Sequence, residues 1–554
     1  MTWSIAPEDL AETAFRNTGT GFTLDIPART NIAADMVTRH AKGPKANQVA
    51  VVFETGDGLE QHLTFRDLEF QATELAVALK GLGIGRGDRV AIHSVQRPET
   101  ILAHLATYKL GAIATTISPL TGPEAIAHIL ADSGARVIFS HARVWQPVRD
   151  LRSRFDELDH VIVSGTVATG ELAFDDCLGA DPGGFQPAET GPEDPALLIY
   201  TSGSTGMPKG ILHGHRIFHA LNASLELFYN LELREQGLVF WTGADWAWVG
   251  GLNDVVFPSL AFGHKLIVSE ARFDPEDALA LMARHRVSHI LLTPTALKRL
   301  AAAPAPRGRH DLALRTIFTG GESLPGETHR ALAEDLGVVC NEGYGMTEVN
   351  QMIGNCQRLR PIRPGSMGWE FPGRRVALID DDGIEVPEGE VGEIAVADTD
   401  PTLFLGYWNN CEATDEIRMG RWIRTHDLAR KDADGYFWYQ GRNDDLIKSA
   451  GFRIGPAEIE ETLLQHPAVA DAGVIGVPDK SGRRGMVVKA CIVRAPDALQ
   501  MPESVLADAL RDLVKARLGP HKQPRLVEYF GALPTTSSGK IARAELRRRH
   551  QAAG

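Results

Sequence analysis

Residues Tyr200 to Gly210 read YTSGSTGMPKG, a segment that combines the groups a phosphate requires. Glycines let backbone N–H groups approach a polyphosphate, the Ser and Thr hydroxyls donate to its oxygens, and Lys209 supplies a positive charge. The GxxxxGK[ST] spacing of the usual P-loop is absent, and the nearby GLGIGRGDRV does not fit GxGxxG. By spacing alone, the segment is compatible with a nucleotide-binding loop and equally with a glycine-rich turn.

A strand and a helix must position this loop. The apolar run ALLIY precedes it, and Ile217, Leu221, Leu225 and Phe228 follow it at helical spacing. The segments SHILLTPTALKRL and LRTIFTGGESLPGETHRALAEDLG repeat the strand, loop and helix order. Continuously apolar strands indicate sheets that are covered on both faces, so we predict an α/β fold. Ligands of such sheets bind beyond the carboxyl ends of the strands.

The pattern changes near Asp444. Two apolar strands, AGVIGV and VVKACIV, precede a helix that Pro502 opens. We predict an N-terminal domain over residues 1–443 and a smaller α+β domain over residues 444–554.

Composition restricts the class of protein. The chain has 554 residues, 71 acidic against 57 basic side chains and a formal net charge of −14, which argues against coating nucleic acid or an anionic membrane. Its 5 cysteines lie at no CxxC-like spacing, so we expect free thiols. The N-terminus lacks a basic start followed by an apolar run, and no stretch approaches the ~18 apolar residues that span a bilayer. We expect a cytoplasmic protein without a membrane span.

Further motifs stand in a fixed order along the chain. They are GGE at 320–322, YGMTE at 344–348, THDLAR at 425–430, GRNDDLIKSAGFRIGPAEIE at 441–460 and PTTSSGKIAR at 534–543. Together with the loop at 200–210, they resemble the signatures of the adenylate-forming superfamily, which comprises acyl- and aryl-CoA synthetases, peptide-synthetase adenylation domains and firefly-type luciferases. The resemblance implies a large N-terminal domain of layered αβ subdomains plus a small β-barrel, followed by a mobile C-terminal α+β domain.

The resemblance also implies a reaction. A carboxylic acid, ATP and CoA give acyl-CoA, AMP and pyrophosphate through an acyl-adenylate, with Mg²⁺ as cofactor and a rotation of the C-terminal domain between the half-reactions. A carboxyl group with pKa near 4 is already ionised at pH 7, so the first step needs positioning and positive charge rather than a base.

Residue roles follow from the matched motifs. The residues implied to handle the β- and γ-phosphates are Thr201, Ser202, Gly203, Ser204, Thr205, Gly206 and Lys209. The residues implied to lie beside adenine are Gly320, Gly321, Glu322 and Tyr344. Thr347 would contact the α-phosphate and Glu348 would hold Mg²⁺. Without the resemblance, the Thr-Glu pair would fit a helix cap and GGE a tight turn.

The later motifs carry charge. Asp427 would accept hydrogen bonds from the ribose hydroxyls, and Arg442 and Arg453 would contact ribose or α-phosphate. Lys540, in the SSGKIAR motif, is implied to bridge the carboxylate, the α-phosphate and the ribose during adenylation.

The second half-reaction involves other residues. Asp444 occupies the family's hinge position, and Ala450, Gly451 and Phe452 would line the pantetheine tunnel for CoA. The group that deprotonates the thiol is not indicated. The spacing of His213, His215 and His219 in the sequence resembles that of a metal-binding cluster, although packing or solvent-facing roles fit these residues better.

The segment WTGADWAWVGGL at 241–252 resembles the acyl-pocket segment of acetyl-CoA and medium-chain acyl-CoA synthetases. Gly345 stands where acetyl-CoA synthetases have a Trp that caps a small pocket, and Gly250 stands where they have a Thr. The loss of the indole predicts extra space on the order of 100 Å³, enough for several methylene groups. Trp246, Trp248 and Val249 would form the walls. We therefore predict a short- or medium-chain, branched or aromatic acid rather than acetate, while cation–π contact leaves a betaine-like acid open.

Alternative functions belong to the same fold. The chain could load a separate acyl or peptidyl carrier protein, act as a binding module without catalysis, or oxygenate an adenylate as luciferases do. The presence of Lys540, Glu348, Asp427 and Arg442 disfavours the binding module. The partners expected are small molecules, with no nucleic acid, and a homo-oligomer is left open.

Overall fold

A computed structural model describes residues 15–17, 22–56, 58–155, 157–201, 207–303, 306–449, 452–479, 485–535 and 541–553. The chain divides into two compact units. The large unit comprises the described residues up to Arg375 together with Ala397–Arg418, and the small unit comprises Val376–Val396 and the described residues from Met419 onward.

The described strands are short to medium in length. They are β1 Phe15–Asn17, β2 Phe22–Leu24, β3 Val49–Glu54, β4 Glu60–Thr64, β5 Arg89–His93, β6 Ile113–Ile117, β7 Val137–His141, β8 His160–Ser164, β9 Leu172–Ala173, β10 Pro195–Thr201, β11 Lys209–Gly214, β12 Val239–Thr242, β13 Lys265–Ser269, β14 His289–Leu291, β15 Thr316–Gly320, β16 Cys340–Met346, β17 Asn350–Gly354, β18 Gly368–Glu370, β19 Val376–Ile379, β20 Val391–Ala397, β21 Gly406–Tyr407, β22 Arg418–Met419, β23 Trp422–Lys431, β24 Tyr436–Arg442, β25 Ile447–Ser449, β26 Phe452–Ile454, β27 Val469–Pro478, β28 Met486–Arg494 and β29 Leu526–Phe530.

Helices alternate with these strands. They are α1 Arg39–Ala41, α2 Phe65–Gly81, α3 Pro98–Lys109, α4 Pro123–Ser133, α5 Ala142–Trp145, α6 Phe174–Cys177, α7 Ile217–Phe228, α8 Val249–Gly251, α9 Phe257–Ala261, α10 Pro275–Arg284, α11 Pro294–Ala301, α12 Pro306–Arg309, α13 Gly326–Asp335, α14 Cys411–Glu416, α15 Pro456–Leu464, α16 Glu503–Leu518 and α17 Arg543–Ala553. Ala34–Thr38 and Leu252–Val256 form π-helical turns, and Gln146–Arg154, Asn443–Asp445 and Pro496–Ala498 form 3₁₀ turns.

Local sequence explains several of these boundaries. Thr64 accepts a hydrogen bond from the backbone N–H of Asp67 while the Asp67 carboxylate accepts from Thr64, which makes a capping box at the start of α2. Asp274 caps α10 in the same sense, with Pro275 in the first turn. These caps satisfy backbone N–H groups that have no partner within the helix.

The large unit contains two main sheets. One has the strand order β21-β11-β10-β6-β5-β7-β8-β9, and the other contains the run β18-β17-β16-β15-β14-β12-β13-β3-β4. The pairs β5 with β6 and β15 with β16 are parallel, whereas β10 pairs with β11 and β16 with β17 in antiparallel hairpins. The predicted α/β class is confirmed. The sheets also contain antiparallel hairpins, and these hairpins carry candidate motifs.

The individual elements predicted from the pattern are present as well. ALLIY lies within β10, whose Ala196 to Ile199 are buried, and α7 covers the periodic stretch from Ile217 to Phe228. Every residue of α7 except His219 is buried. The helix therefore packs on more of its surface than the one apolar face that the sequence pattern predicts.

The small unit has its own sheets. Strands β19, β20, β23 and β24 follow one another in one sheet, β25 pairs with β26, and β27, β28 and β29 form a further sheet. α15 and α16 pack through Ile459, Leu463, Leu506 and Leu510 into one apolar cluster with β27 and β28. The predicted C-terminal strands and the helix after Pro502 are therefore present.

The division into compact units places Val376–Val396 and the described stretch that begins at Met419 together in the small unit. The predicted boundary between residues 443 and 444, and the predicted β-barrel, stay predictions. Within the described part of the chain, no helix combines the length and the apolar character needed to cross a bilayer. All five cysteines are free thiols, as expected, and Cys411 is the exposed one.

Candidate active site

The glycine-rich loop is carried by the β10–β11 hairpin. Thr201 and Lys209 face each other in its register, so the two ends of the loop are close together. The hydroxyl of Tyr200 donates to a carboxylate oxygen of Asp132 over 2.6 Å, which ties the end of β10 to α4. Ser202, Gly203, Ser204, Thr205 and Gly206 lie outside the described residues.

Tyr407 links this hairpin to the Thr347–Glu348 turn. β21 pairs with β11, and the Lys209 ammonium lies 5.3 Å from the centroid of the Tyr407 ring. The Tyr407 hydroxyl donates to Oε1 of Glu348 over 2.6 Å. Lys209 and Glu348, which the motifs assign to phosphate and to Mg²⁺, are thus neighbours of one side chain.

His213 supports the same turn. Its Nε2 lies 2.8 Å from the carbonyl oxygen of Thr347, so this nitrogen carries the proton and donates. Burial lowers the pKa of His213 to about 4, so the ring is neutral at pH 7. His215 and His219 have other partners, the backbone N–H of Ile32 and the Asp35 carboxylate. His213 therefore supports the Thr347–Glu348 turn, whereas His215 and His219 both contact the stretch from Thr30 to Asp35.

A buried ion pair lies behind the turn. Arg374 donates to Asp400 over 2.5 Å, and both side chains are 1% exposed. Thr402 donates to the carbonyl oxygen of Val349 over 2.6 Å and also contacts Asp400. Thr402 therefore connects this buried ion pair to Val349, the residue after Glu348.

The donor set at Glu348 fits magnesium. Mg²⁺ is usually held by one or two carboxylates together with substrate phosphates, and it keeps several waters. Glu348 offers one carboxylate, 8% exposed and oriented by Tyr407, beside the hairpin of the phosphate loop.

The GGE motif and Tyr344 lie at one edge of a sheet. β15 and β16 are parallel, with Gly320 opposite Gly343. Gly321 follows with φ of +87°, a conformation that favours glycine. Glu322 accepts a hydrogen bond from Thr295 over 3.0 Å. The carboxyl ends of parallel strands are where α/β sheets bind ligands, and the adenine contacts of these residues stay a prediction.

The segment before α8 is held by strand β6. Thr116 donates to the carbonyl oxygen of Ala247 over 3.0 Å, and Ser118 donates to the Asp245 carboxylate. Burial raises the pKa of Asp245. Trp246 and Val249 are buried, and their role as walls of an acyl pocket stays a prediction.

The extra space predicted from the missing indole at Gly345 stays a prediction, and the structure shows what surrounds Gly345 and Gly250. A Cβ at Gly345 would overlap the carbonyl oxygen of Asn350, because β16 and β17 approach closely at a bulge. A Cβ at Gly250 would lie 2.6 Å from the Trp248 ring, which also closes on Gly321. A Cβ therefore does not fit at either glycine without a shift of the Asn350 backbone or of the Trp248 ring.

The small unit carries a second group of candidate residues. Asp427 and Arg442 face each other in β23 and β24, with 3.8 Å between the Arg442 guanidinium and Oδ1 of Asp427. The Tyr439 hydroxyl donates to the same Oδ1 over 3.1 Å. Thr425 accepts from the backbone N–H of Asp427 and so fixes its backbone, while Tyr439 and Arg442 contact the carboxylate.

The predicted hinge and CoA loop follow directly. Asp444 lies in the 3₁₀ turn Asn443–Asp445, and its neighbour Asp445 accepts from Arg547 over 2.8 Å. β25 and β26 bracket Ala450 and Gly451, which lie outside the described residues. Phe452 is 51% exposed and stacks on His521 at 4.6 Å. For Arg453 the backbone alone is described, as part of β26.

Lys540 also lies outside the described residues, but the chain beside it is well anchored. Thr535 and Ile541 pair as an isolated bridge. Arg543 then donates to both carboxylate oxygens of Glu460, over 2.7 and 2.6 Å. Burial is the largest influence on the Glu460 carboxyl and raises its pKa, although Arg543 opposes it. The start of α17 is thus tied to α15.

Comparison with known proteins decides the family. The model of the AMP-binding enzyme family matches residues 37–408, and the model of the AMP-binding enzyme C-terminal domain matches residues 458–540. This chain belongs to the AMP-binding enzyme family. The predicted membership of the adenylate-forming superfamily is confirmed.

Relatives of this AMP-binding enzyme span different acids. Acetyl-coenzyme A synthetase of Bacillus subtilis is 32% identical, over 93% of this chain and 90% of its own, and benzoate–CoA ligase of Thauera aromatica is 31% identical, over 95% and 97%. The crystal structure of the anthranilate CoA ligase AuaEII in complex with anthranoyl-AMP has a TM-score of 0.85 at 32% identity and covers 96% of this chain and 99% of that one. The enzyme is therefore an acid–thiol ligase of the acyl-CoA synthetase type, and the predicted ATP, Mg²⁺ and CoA are the small molecules of that class.

Three side-chain contacts in this AMP-binding enzyme were not predicted from the sequence motifs. Tyr407, Tyr439 and His213 each orient a motif residue, but each lies outside the motif it serves. Tyr439 and Asp427 lie in the paired strands β24 and β23. No local sequence pattern predicts the pairing of β21 with β11, which brings Tyr407 to the hairpin.

Proposed function

We propose that this enzyme activates a carboxylic acid larger than acetate with ATP and transfers the acyl group to CoA. The observation that carries the proposal is the convergence of Lys209, Tyr407 and Glu348 beside the glycine-rich hairpin. A lysine and an oriented carboxylate at a glycine-rich loop are suited to a metal-bound polyphosphate.

In the first half-reaction, a carboxylate oxygen of the acid attacks the α-phosphorus of ATP. The new O–P bond forms as the bond to pyrophosphate breaks, which gives the acyl-adenylate. When bound, Mg²⁺ supplies positive charge to the phosphates, and Glu348 would hold it. Lys209 would bind the β- and γ-phosphates together with Thr201 and the loop residues Ser202 to Gly206, and Thr347 would contact the α-phosphate.

The nucleoside would be bound by the other motif residues. Gly320, Gly321, Glu322 and Tyr344 are proposed for adenine. Asp427, oriented by Tyr439, is suited to accept from ribose hydroxyls, and Arg442 supplies a guanidinium beside it. Arg453 is proposed for the same region of the nucleotide.

In the second half-reaction, the CoA sulfur attacks the acyl carbonyl carbon and AMP leaves. The thiol loses its proton during this step. Phe452, with Ala450 and Gly451, is proposed to contact the pantetheine arm, and Asp444 to act as the hinge. The substitution Asp444→Pro should reduce thioester formation more than adenylation, and unchanged full turnover would refute the hinge.

The class of acid rests on the relatives and on the apolar walls. Relatives named for benzoate and 3-hydroxybenzoate match over more than 90% of this chain, and Trp246 and Val249 offer buried apolar surface. We propose a short- or medium-chain, branched or aromatic acid, with the reaction taking place in the cytoplasm.

Pyrophosphate release from a panel of acids, measured with and without CoA, tests this function. Acyl-CoA formation from an acid larger than acetate is the expected result. Acetate as the best substrate would overturn the acid class, and transfer to a carrier protein with no transfer to CoA would favour the alternative. Lys540→Ala should abolish acyl-adenylate formation while thioester formation from preformed acyl-adenylate is retained. Equal loss of both half-reactions would contradict the role of Lys540.

A further inference from the structure

One buried carboxylate of the small unit lies outside all of the sequence motifs. Glu393 belongs to β20, the strand next to β23 in the sheet, and it is 5% exposed. A carboxylate at this depth requires charged or hydrogen-bonding partners, because its own charge is poorly solvated there. The partners of Glu393 therefore indicate its role.

Several N–H donors converge on this carboxylate. Arg424 donates through Nε to Oε1 over 3.1 Å and through Nη2 to Oε2 over 2.6 Å, a bidentate pair of the strong, charge-assisted kind. The backbone N–H of His426 donates to Oε1 over 2.9 Å, and the Asn443 amide donates to Oε2 over 3.4 Å. Glu393 therefore connects β23 to the turn that follows β24.

Two of these partners are the chain neighbours of residues proposed to bind the nucleotide. His426 directly precedes Asp427, and Asn443 directly follows Arg442. Asp427 and Arg442 lie opposite each other in β23 and β24. Glu393 thus holds one neighbour of each member of this pair.

His426 has a strained backbone conformation. Its φ of +61° lies in the left-handed region, which residues other than glycine seldom adopt. Such conformations persist where the surroundings determine them, and they cluster at functional sites. Glu393 supplies this constraint, because its Oε1 accepts from the backbone N–H of His426 and lies 3.5 Å from Nδ1 of the same residue. The direction in which the chain enters Asp427 therefore depends on Glu393.

We propose that Glu393 is a positioning residue for the nucleotide, which places Asp427 and Arg442 at the ribose by fixing the residues beside them. The inference rests on the proposed function, in which Asp427 accepts from the ribose hydroxyls. Glu393 acts through His426 and Asn443 and does not itself contact the substrate.

Glu393→Gln tests the inference with little change of volume. In either orientation of the new amide, its NH₂ group faces Arg424 in place of an acceptor oxygen, so the contacts at one end of the carboxylate are lost. In the adenylation half-reaction, KM for ATP should rise about tenfold, while KM for the acid changes less than about twofold. A loss of folded protein alone would lower kcat and leave both KM values unchanged.

The nucleotide 2′,3′-dideoxy-ATP separates an effect on the ribose from other effects. It lacks the hydroxyls that Asp427 is proposed to bind, so Glu393→Gln should raise its KM less than about threefold. Pyrophosphate release with each nucleotide, from an acid that the wild-type enzyme uses, gives the comparison.

Glu171→Gln is the matched control. Glu171 is also a nearly buried carboxylate, with a side chain 7% exposed, and it accepts from both Arg149 and the backbone N–H of Ala168. Neither partner adjoins a residue proposed to bind the nucleotide. The control substitution should therefore lower thermal stability while KM for ATP stays within about twofold of the wild-type value.

Two substitutions at His426 decide the question if Glu393→Gln does not fold. Glycine adopts the left-handed conformation freely, so His426→Gly should retain the backbone hydrogen bond to Glu393 and a KM for ATP within about twofold of the wild-type value. Alanine resists that conformation, so His426→Ala should raise KM for ATP about fivefold or more.

The outcomes separate this inference from the proposed function. An unchanged KM for ATP in Glu393→Gln, an equal rise with both nucleotides, or an equal rise in Glu171→Gln overturns the positioning role and leaves acyl-CoA formation standing. If Glu393→Gln does not fold, equal KM values for ATP in His426→Gly and His426→Ala overturn it. Failure of the wild-type enzyme to release pyrophosphate with any acid of a wide panel overturns the proposed function itself.

Discussion

The hydroxyl of Tyr407 donates a 2.6 Å hydrogen bond to Oε1 of Glu348. These residues are 59 positions apart in the chain, and the backbone N–H of Phe404 also donates to the carbonyl oxygen of Glu348. The stretch from Phe404 to Tyr407 therefore orients both the side chain and the backbone of the residue proposed to hold Mg²⁺. Partners that orient a metal ligand tune its affinity.

Tyr407→Phe should raise the Mg²⁺ concentration that gives half-maximal adenylation by about tenfold, because the Glu348 carboxylate loses its fixed orientation. The phenyl ring keeps the contact with Lys209, so the Michaelis constant for the acid should not change. A magnesium titration of pyrophosphate release measures the effect. Tyr529→Phe, which removes a hydroxyl bonded to the carbonyl oxygen of Glu503, serves as control. An unchanged magnesium dependence would contradict the assignment of Glu348.

Tyr439→Phe should raise KM for ATP roughly three- to tenfold, because Asp427 loses the neutral hydrogen bond that orients it. If Asp427 accepts from the ribose, the effect of the substitution should shrink with 2′-deoxy-ATP, where one of its partners is missing. Steady-state kinetics with both nucleotides gives the comparison. The same loss with both would show that Tyr439 acts on stability or on another part of the nucleotide.

Arg543→Met should destabilise the protein by about 3–5 kcal/mol, because it leaves the Glu460 carboxyl buried without its charged partner. The double substitution Arg543→Met with Glu460→Met should recover much of this loss, since the pair is replaced by apolar side chains. Because Arg543 lies three residues after Lys540, the double variant should still lose adenylation more than thioester formation. Denaturant unfolding and the two half-reactions provide the measurements. Full adenylation activity in the double variant would show that the pair does not position Lys540.

Acid should destabilise the folded enzyme through its buried histidines. Burial lowers the pKa of His93, His213, His215 and His264 to about 4, from the ordinary value of 6.5. The unfolded chain therefore binds more protons between these values, so stability falls as the pH is lowered from about 6.5 towards 4. Denaturant midpoints across this window measure the slope.

His93→Gln should reduce that slope, because it removes one of the groups that titrate only on unfolding. His62→Gln is the control, since His62 is exposed in β4. Equal slopes in the wild type and in His93→Gln would contradict the burial effect.

The sequence by itself determined the elements and the class of chemistry. Strand β10, the helix α7 and the C-terminal strands follow from local periodicity, which acts over a few residues and needs no knowledge of distant contacts. The ordered motifs determined the family, because each has the residues of a family signature and stands in the expected order along the chain.

Tertiary structure decided what those residues touch. The pairing of Tyr407 with Glu348, the bond between Asp254 and Gln351, and the closure of Trp248 over Gly250 all join residues through packing that no local pattern encodes. Gly345 and Gly321 illustrate the physical reason, because a Cβ at the first would meet the Asn350 carbonyl oxygen and a Cβ at the second would meet the Trp248 ring. Close packing places such neighbours beside a residue from other parts of the chain, which local periodicity does not record.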